Sequence, residues 1–334
     1  MADGAAVVQR AGAGVGPGVA AWPGARRCLQ LALAAIWLLD GVLQYQSFMY
    51  TKAFGQMLAA TAPGNPAVIA DPVTWAAKII EQHPVSTNTA FATIQLLLGL
   101  GIAWRPARKP ALAASVVWSV AVWWFGEGLG GVLNGGASPV NGAPGAVILY
   151  ALLAVLLWPV TTTAAGSRAP FVAARPAGLR TAQALWLVLW GSLAYFAAIP
   201  ANRAAQGLHD MVAGMAPGEP GWLSWINRGA AGLLAHNGLA ASIVLAAGLA
   251  VIAVGVFLPA PAARASVVLA IVVSVLIWVA GQDLGGILAG GATDPNSGPL
   301  LVLLALAYWP ARGNARLDEH QPAAASGAPE GIQP

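Results

Sequence analysis

The 334 residues are 58% hydrophobic and only 8% charged, with a mean hydropathy of +0.69. A water-soluble domain carries roughly 25% charged residues, so this composition excludes one. The formal net charge of +4 does not mark a nucleic-acid binder, because the Lys and Arg residues sit in short loops between apolar runs instead of clustering on one face.

The first 25 residues are rich in Gly and Ala and read as a disordered N-terminal segment. Arg26 and Arg27 then precede an apolar run with no small-residue cleavage site, which predicts an uncleaved first helix. Its single cysteine, Cys28, excludes an internal disulfide and any dithiol relay within the chain. Spanning the hydrocarbon takes about 20 apolar residues per helix. Eight stretches qualify, at 28–48, 86–104, 110–128, 144–160, 180–199, 237–258, 264–282 and 298–311. The expected fold is thus all-α, a polytopic membrane helix bundle, and the polar, Pro- and Ala-rich residues 312–334 read as a disordered tail.

All but four of the sixteen Lys and Arg fall on alternate connections; Lys52, Lys78, Arg203 and Arg228 are the exceptions. By the positive-inside rule both termini are cytoplasmic in a multi-pass protein of the cell membrane. The long loops at 49–85 and 200–236 then face outward, and their Trp75, Trp222 and Trp225 predict short interfacial helices.

The chain also repeats itself. GEGLGGVLNGGA, Gly126 to Ala137, matches GQDLGGILAGGA, Gly281 to Ala292, at eight of twelve positions. In the same register Asn141 pairs with Asn296 and Pro144 with Pro299, and each half closes on Trp-Pro (Trp158-Pro159, Trp309-Pro310). Asp40-Gly41 aligns with Trp190-Gly191 and Asn88 with Asn237. Two four-helix units at 26–160 and 178–311, joined by a cytoplasmic linker at 161–177, are expected, parallel in topology.

Asp40 lies two-thirds through the first predicted helix, where a carboxylate costs roughly 2.5–3.5 kcal/mol. Gln44 and Ser47 follow at one-turn intervals, so the three are expected on one inward face. Glu127 and Asp283 each stand beside a Gly-Leu-Gly-Gly run at the outer end of a third helix, with Gln282 aligned opposite Glu127. Glycine-interrupted spans at matching places in two repeats point to a binding site. Gly128, Gly130 and Gly131 with Gly285 and Gly286 are thus expected to cup a ligand between the halves, with Glu127, Gln282 and Asp283 facing it. Close packing followed by an ordinary turn at Asp294-Pro295-Asn296 is the alternative. Asn88 and Gln95 share a face of the second helix and suit interhelical hydrogen bonds. Trp118, Trp123, Trp124 and Trp278 suit packing, or an aromatic wall for a flat ring such as a quinone. His83, His209, His236 and His320 lie at the rim or in the tail, which argues against bound haem and leaves a rim zinc or copper site without diagnostic spacing.

The four-helix unit, as the first half shows it, carries a basic flank, a first helix with a glycine within its span (Gly41), a long loop, a second helix reading QLLLGLGI (Gln95 to Ile102) and two closing helices. This plan resembles the DoxX/DoxD family of four-helix membrane proteins. The resemblance implies quinone-linked oxidation of sulfur compounds, or partnership in redox-stress handling, and carries no defined catalytic residues to this chain. The expectation is a redox component of the membrane with a bound quinone. Asp40 and Glu127 exchange protons, Gln44, Asn88 and Gln282 hold carbonyl oxygens, and a soluble or membrane partner supplies electrons. The alternatives are a proton- or cation-coupled solute carrier and a non-catalytic assembly protein.

Overall fold

A computed structural model describes residues 24–160 and 169–310. The predicted tails lie outside these residues, as do Arg10, Arg168, Arg312, Arg316, His320 and the first part of the linker. The described residues form helices and turns, with no strand among them.

In the first half α1 (Ala25–Leu43) leads into a loop holding α2 (Lys52–Ala59) and α3 (Ala67–Gln82), followed by α4 (Pro84–Ala103), α5 (Arg108–Phe125) and α6 (Ala146–Leu156). After the short α7 (Ala174–Ala177), the second half runs through α8 (Leu179–Ala197), then α9 (Pro200–Arg203), α10 (Gly207–Ala213) and α11 (Gly221–Leu234) in its loop. It closes with α12 (Gly238–Gly255), α13 (Ala260–Leu276) and α14 (Ser297–Ala307). The helices expected in the long loops are present. Among the described residues, three segments are long and apolar enough to cross a membrane: Pro84–Ala103, Gly238–Gly255, and Ala260–Gly281, which adds a π turn to α13. Large apolar side chains point away from the protein along the helices; Val117, Val188 and Val244 are 71%, 67% and 72% exposed.

One core joins the halves. Leu33 and Trp37 of α1, Leu149 and Leu153 of α6, Trp186 and Trp190 of α8, and Leu300 and Leu304 of α14 are buried in a single cluster. Side chains from each half also hold the other's loops. Gln282 donates to the Pro139 carbonyl at 3.2 Å, Asn202 to Ala137 O at 3.1 Å and Gln46 to Ala292 O at 3.0 Å.

Two expectations are corrected. α1 ends at Leu43, so Ser47 falls in a following 3-10 turn, is exposed, and does not share the inward face of Asp40 and Gln44. α6 and α14 have only 11 residues each, about 16 Å of helix, against the full crossings expected at 144–160 and 298–311. Both begin within two residues of the expected start and stop early at their C-terminal ends, Leu156 and Ala307; the glycine stretches that precede them, Gly128–Gly131 and Asp283–Gly286, are runs of left-handed residues. Four successive residues at positive φ cannot continue a right-handed helix.

The matching motifs fold alike, but in a register the sequence alignment misses. Trp123 Nε1 donates to Pro144 O, and Trp278 Nε1 to Pro295 O, both at 2.7 Å. Glu127 accepts from Val147 N at 3.1 Å, and Gln282 from Gly298 N at 3.3 Å. Pro144 therefore corresponds to Pro295, not Pro299, and Asn141 has no counterpart in Asn296: the first half holds four extra residues between its glycine run and its last helix. Asn88 is likewise matched by Ser242, not Asn237. Asn88 Nδ2 donates to Gln44 O at the end of α1 (2.7 Å), and Ser242 Oγ to Ala197 O at the end of α8 (2.6 Å). Asn237 is exposed and bonds Leu233 O of its own turn.

A Cβ on Gly130, at φ +62°, would overlap the Pro144 carbonyl, whereas one on Gly248 in α12 would meet open space. Gly130→Ala is expected to lose about 1–2 kcal/mol from the left-handed conformation alone, with the overlap added. Gly248→Ala is expected to be neutral or stabilising. Unfolding temperatures of both variants in detergent check this; equal values would refute the close approach.

Candidate functional site

The first half encloses a cavity of about 640 Å³ between α1, α3, α4, α5 and α6. Trp37, Phe54, Trp75, Phe91, Trp118 and Phe125 give it aromatic walls, with Phe91 and Trp118 edge-on at 5.6 Å between centroids. Its polar atoms come from few places. Asp40, Gln44, Gln95, Glu127 and Tyr150 line it, joined by Thr293 and Asp294 from the second half. No Lys, Arg or His lines it.

Asp40 is 1% exposed and faces the cavity because α1 packs on α4 and α6 with Leu33 and Trp37 inward. Its Oδ2 accepts from the Tyr150 hydroxyl at 2.6 Å, and the Tyr150 ring lies 4.3 Å from that of Trp37. The other oxygen, Oδ1, is buried with no partner. Gln44 Oε1, Gln95 Oε1, Glu127 Oε2 and Trp118 Nε1 are also buried and unpartnered. A buried polar atom without a partner costs about 1–3 kcal/mol. Five of them border one apolar cavity, where a ligand or ordered water would supply the partners they lack.

Glu127 reaches this position because the left-handed run turns the chain back directly after α5. One of its oxygens caps the N-terminus of α6 through Val147 N, and the other is left for the cavity. The capping itself answers the unbonded N–H groups that every helix start presents. Gly145 leaves room for it, since a Cβ there would overlap Glu127 Oε2.

Of the residues the sequence singles out, Asp40, Gln44, Gln95 and Glu127 converge on the cavity. The rest do not. Asn88 is buried and spends its amide on Gln44 O. Gln282 faces away into structural bonds with Pro139 O, Ser297 Oγ and Gly298 N. Asp283 is fully buried beside Asn227 and lies outside this cavity. The glycine runs do not cup a common ligand: Gly130 and Gly131 line a second, smaller cavity, and Gly128, Gly285 and Gly286 line neither. Trp123 and Trp278 serve as donors to proline carbonyls. The histidines do not converge; His209 pairs with Asp210 at 2.9 Å and His236 lies 3.1 Å from Gln206. Among the described residues no group of three His, Cys, Asp or Glu can hold a metal.

Sequence reasoning missed Tyr150 and Asp294. A lone tyrosine in the otherwise apolar run of α6 was the available signal for the first. Asp294 reads as an ordinary turn, and its own bonds to Thr293 Oγ1 (2.8 Å) and Asn296 N (2.7 Å) are turn bonds; only the packing of the halves brings it to the cavity.

Tyr150→Phe strands Asp40 Oδ2 and is expected to cost about 1–3 kcal/mol, while removing both partners with Asp40→Leu and Tyr150→Phe recovers most of the loss. Thermal unfolding of the two single variants and the double checks this. A double variant as unstable as the sum of the singles would refute the pairing. Comparison with models of known protein families, with curated proteins and with solved structures finds no match to this chain.

Proposed function

We propose that this is a multi-pass protein of the cell membrane, made of two DoxX-like four-helix units, and that its cavity binds a quinone in a membrane redox reaction. Eight crossings are accommodated if α6 and α14 each complete a span with the irregular glycine-rich backbone before them. Such backbone is tolerated at membrane depth only where it is buried in protein or lines a cavity. The outward-facing valines and the three strongly apolar segments support the membrane setting.

The observation that carries the quinone reading is the combination of aromatic walls with unpartnered buried atoms at Asp40, Gln44, Gln95, Glu127 and Trp118. A flat lipophilic ring fills the apolar volume. Trp118 Nε1 and the glutamine amides supply donors for carbonyl oxygens, and the carboxylates and glutamine oxygens accept from hydroxyls. Reducing a quinone takes two electrons and two protons, one of each per oxygen. Asp40 and Glu127 are placed to deliver the protons, and a flavin-, haem- or iron–sulfur-bearing partner supplies the electrons.

A second reading rests on a specific observation: three carboxyl groups, Asp40, Glu127 and Asp294, share the cavity with no basic side chain. That arrangement, with six aromatic rings, also suits an organic cation carried through the bundle.

Organic extraction of the detergent-purified protein with quinone quantification separates these. The quinone reading expects near-stoichiometric quinone, lost by at least tenfold in Asp40→Asn and Glu127→Gln and retained in Asp283→Asn, which lies outside the cavity. Absence of quinone together with proton-coupled uptake of an organic cation into liposomes, abolished by Asp40→Asn, would replace it with the carrier.

A further inference from the structure

A second cavity of about 300 Å³ adjoins the first. The two share three residues, Thr61, Glu127 and Asp294. Their linings differ in kind. The larger is aromatic, while the smaller is built from glycines and the amides of Asn134, Asn141 and Asn296. It also has a direction: Asn134, Gly136 and Asn141 are exposed, whereas Gly142, Gly145 and Ala146 are buried. A polar, roomy cavity that begins at the surface and ends on the half-buried carboxyls of Glu127 and Asp294 is one that water fills.

We propose that the smaller cavity is the aqueous route by which protons reach the larger one, and that Asp294, contributed by the second half, passes them together with Glu127. Glu127 suits the junction because its two oxygens have separate duties. Oε1 is fixed on the N-terminus of α6, Oε2 is buried without a partner and packed against Gly145, and the residue lines both cavities. Asp294 faces both cavities from a turn that holds its carboxylate through Thr293 Oγ1 and Asn296 N. A proton moving inward passes from water among the asparagines to Asp294 or Glu127, and from there to a group in the aromatic cavity; no electron moves in these steps. Asp40, bonded to Tyr150, is the titratable pair on the far side. The purpose of the route rests on the quinone reading, but its existence does not.

Both tests therefore avoid quinone. In a Cys28→Ser background, Thr61→Cys reports on the junction, Asn134→Cys on the mouth and Ala154→Cys on the closed core. A small, cationic, water-soluble methanethiosulfonate is expected to label the first two, and the third at least tenfold more slowly. Adding Asn134→Trp is expected to slow labelling at Thr61→Cys at least tenfold. Ala146→Cys, at the inner end of the cavity, replaces Thr61→Cys should the latter not fold. Labelling at the junction no faster than in the core, or indifferent to Asn134→Trp, overturns the route. For Asp294, infrared spectroscopy follows hydrogen–deuterium exchange of the Glu127 carboxyl, whose band is identified by its loss in Glu127→Gln. Asp294→Asn keeps the turn acceptor and is expected to slow that exchange at least tenfold; an unchanged rate removes Asp294 from the route.

Discussion

The N-terminus of a helix that begins inside an apolar bundle must find acceptors for its first N–H groups, and much of this architecture follows from how that need is met. α6 and α14 are only 11 residues long and start on buried residues, Ala146 and Ser297. In each half the acceptor is the residue directly before the left-handed run, Glu127 for α6 and Gln282 for α14. To place it there the chain must reverse within a few residues of the preceding helix. That reversal is what the left-handed run supplies. The tryptophan one turn earlier then ties the returning strand of chain down through a proline carbonyl. Cap, reversal and tryptophan anchor form one mechanical unit.

The two halves use this unit to different ends, and the difference is one atom. An amide in the capping position satisfies itself: Gln282 accepts with its oxygen and donates with its nitrogen to Pro139 O and Ser297 Oγ. A carboxylate has no donor to spend, so Glu127 caps with one oxygen and keeps the other in reserve beside the cavity. Around it the first half adds further polar groups that its counterpart lacks, Asp40 where the sequence aligns Trp190, and Tyr150 where α14 has Leu301. The second half supports the first. It buttresses the core through α14 and lends one turn, Thr293–Asp294, to the rim of the site.

The sequence made the site legible where a polar residue interrupts an apolar helix, because insertion cost alone demands a partner there. Asp40, Gln44, Gln95 and Glu127 all announce themselves in that way, and all reach one cavity. It failed where meaning depended on register or on packing between halves. The strong match at Gly126–Ala137 invites extension into the following residues, yet the structure slips by four positions beyond it, so the proline and asparagine pairings read from sequence join unlike places. The wish for a site symmetric between the glycine runs has the same origin. Those runs serve to reverse the chain, and of their glycines only Gly130 and Gly131 border a cavity. Asp294 was invisible because nothing local distinguishes a turn aspartate that meets solvent from one pressed against another domain's cavity.

The cavity carries a stability cost that the second half helps to meet. A cavity of 640 Å³ lined by atoms without partners weakens the half that contains it, since each orphaned group carries a desolvation cost and the empty volume forgoes packing contacts. The second half lacks that burden at its capping position, where Gln282 is fully bonded, and its α14 packs into the common core beside α1 and α6. Its Gln282 grips the first half at Pro139, and its Ala292 carbonyl is gripped in turn by Gln46. The Ala292 bond falls next to Thr293 and Asp294 at the rim of this cavity, and the Pro139 bond next to Asn141 of the smaller one. The stability forgone at the site is thus offset by bonds at its own border, and the residue that completes the site, Asp294, lies on the same short loop as Ala292. Loss of that loop's grip would loosen the wall and remove the carboxylate together, which makes the second half a condition for the site and not merely a neighbour to it.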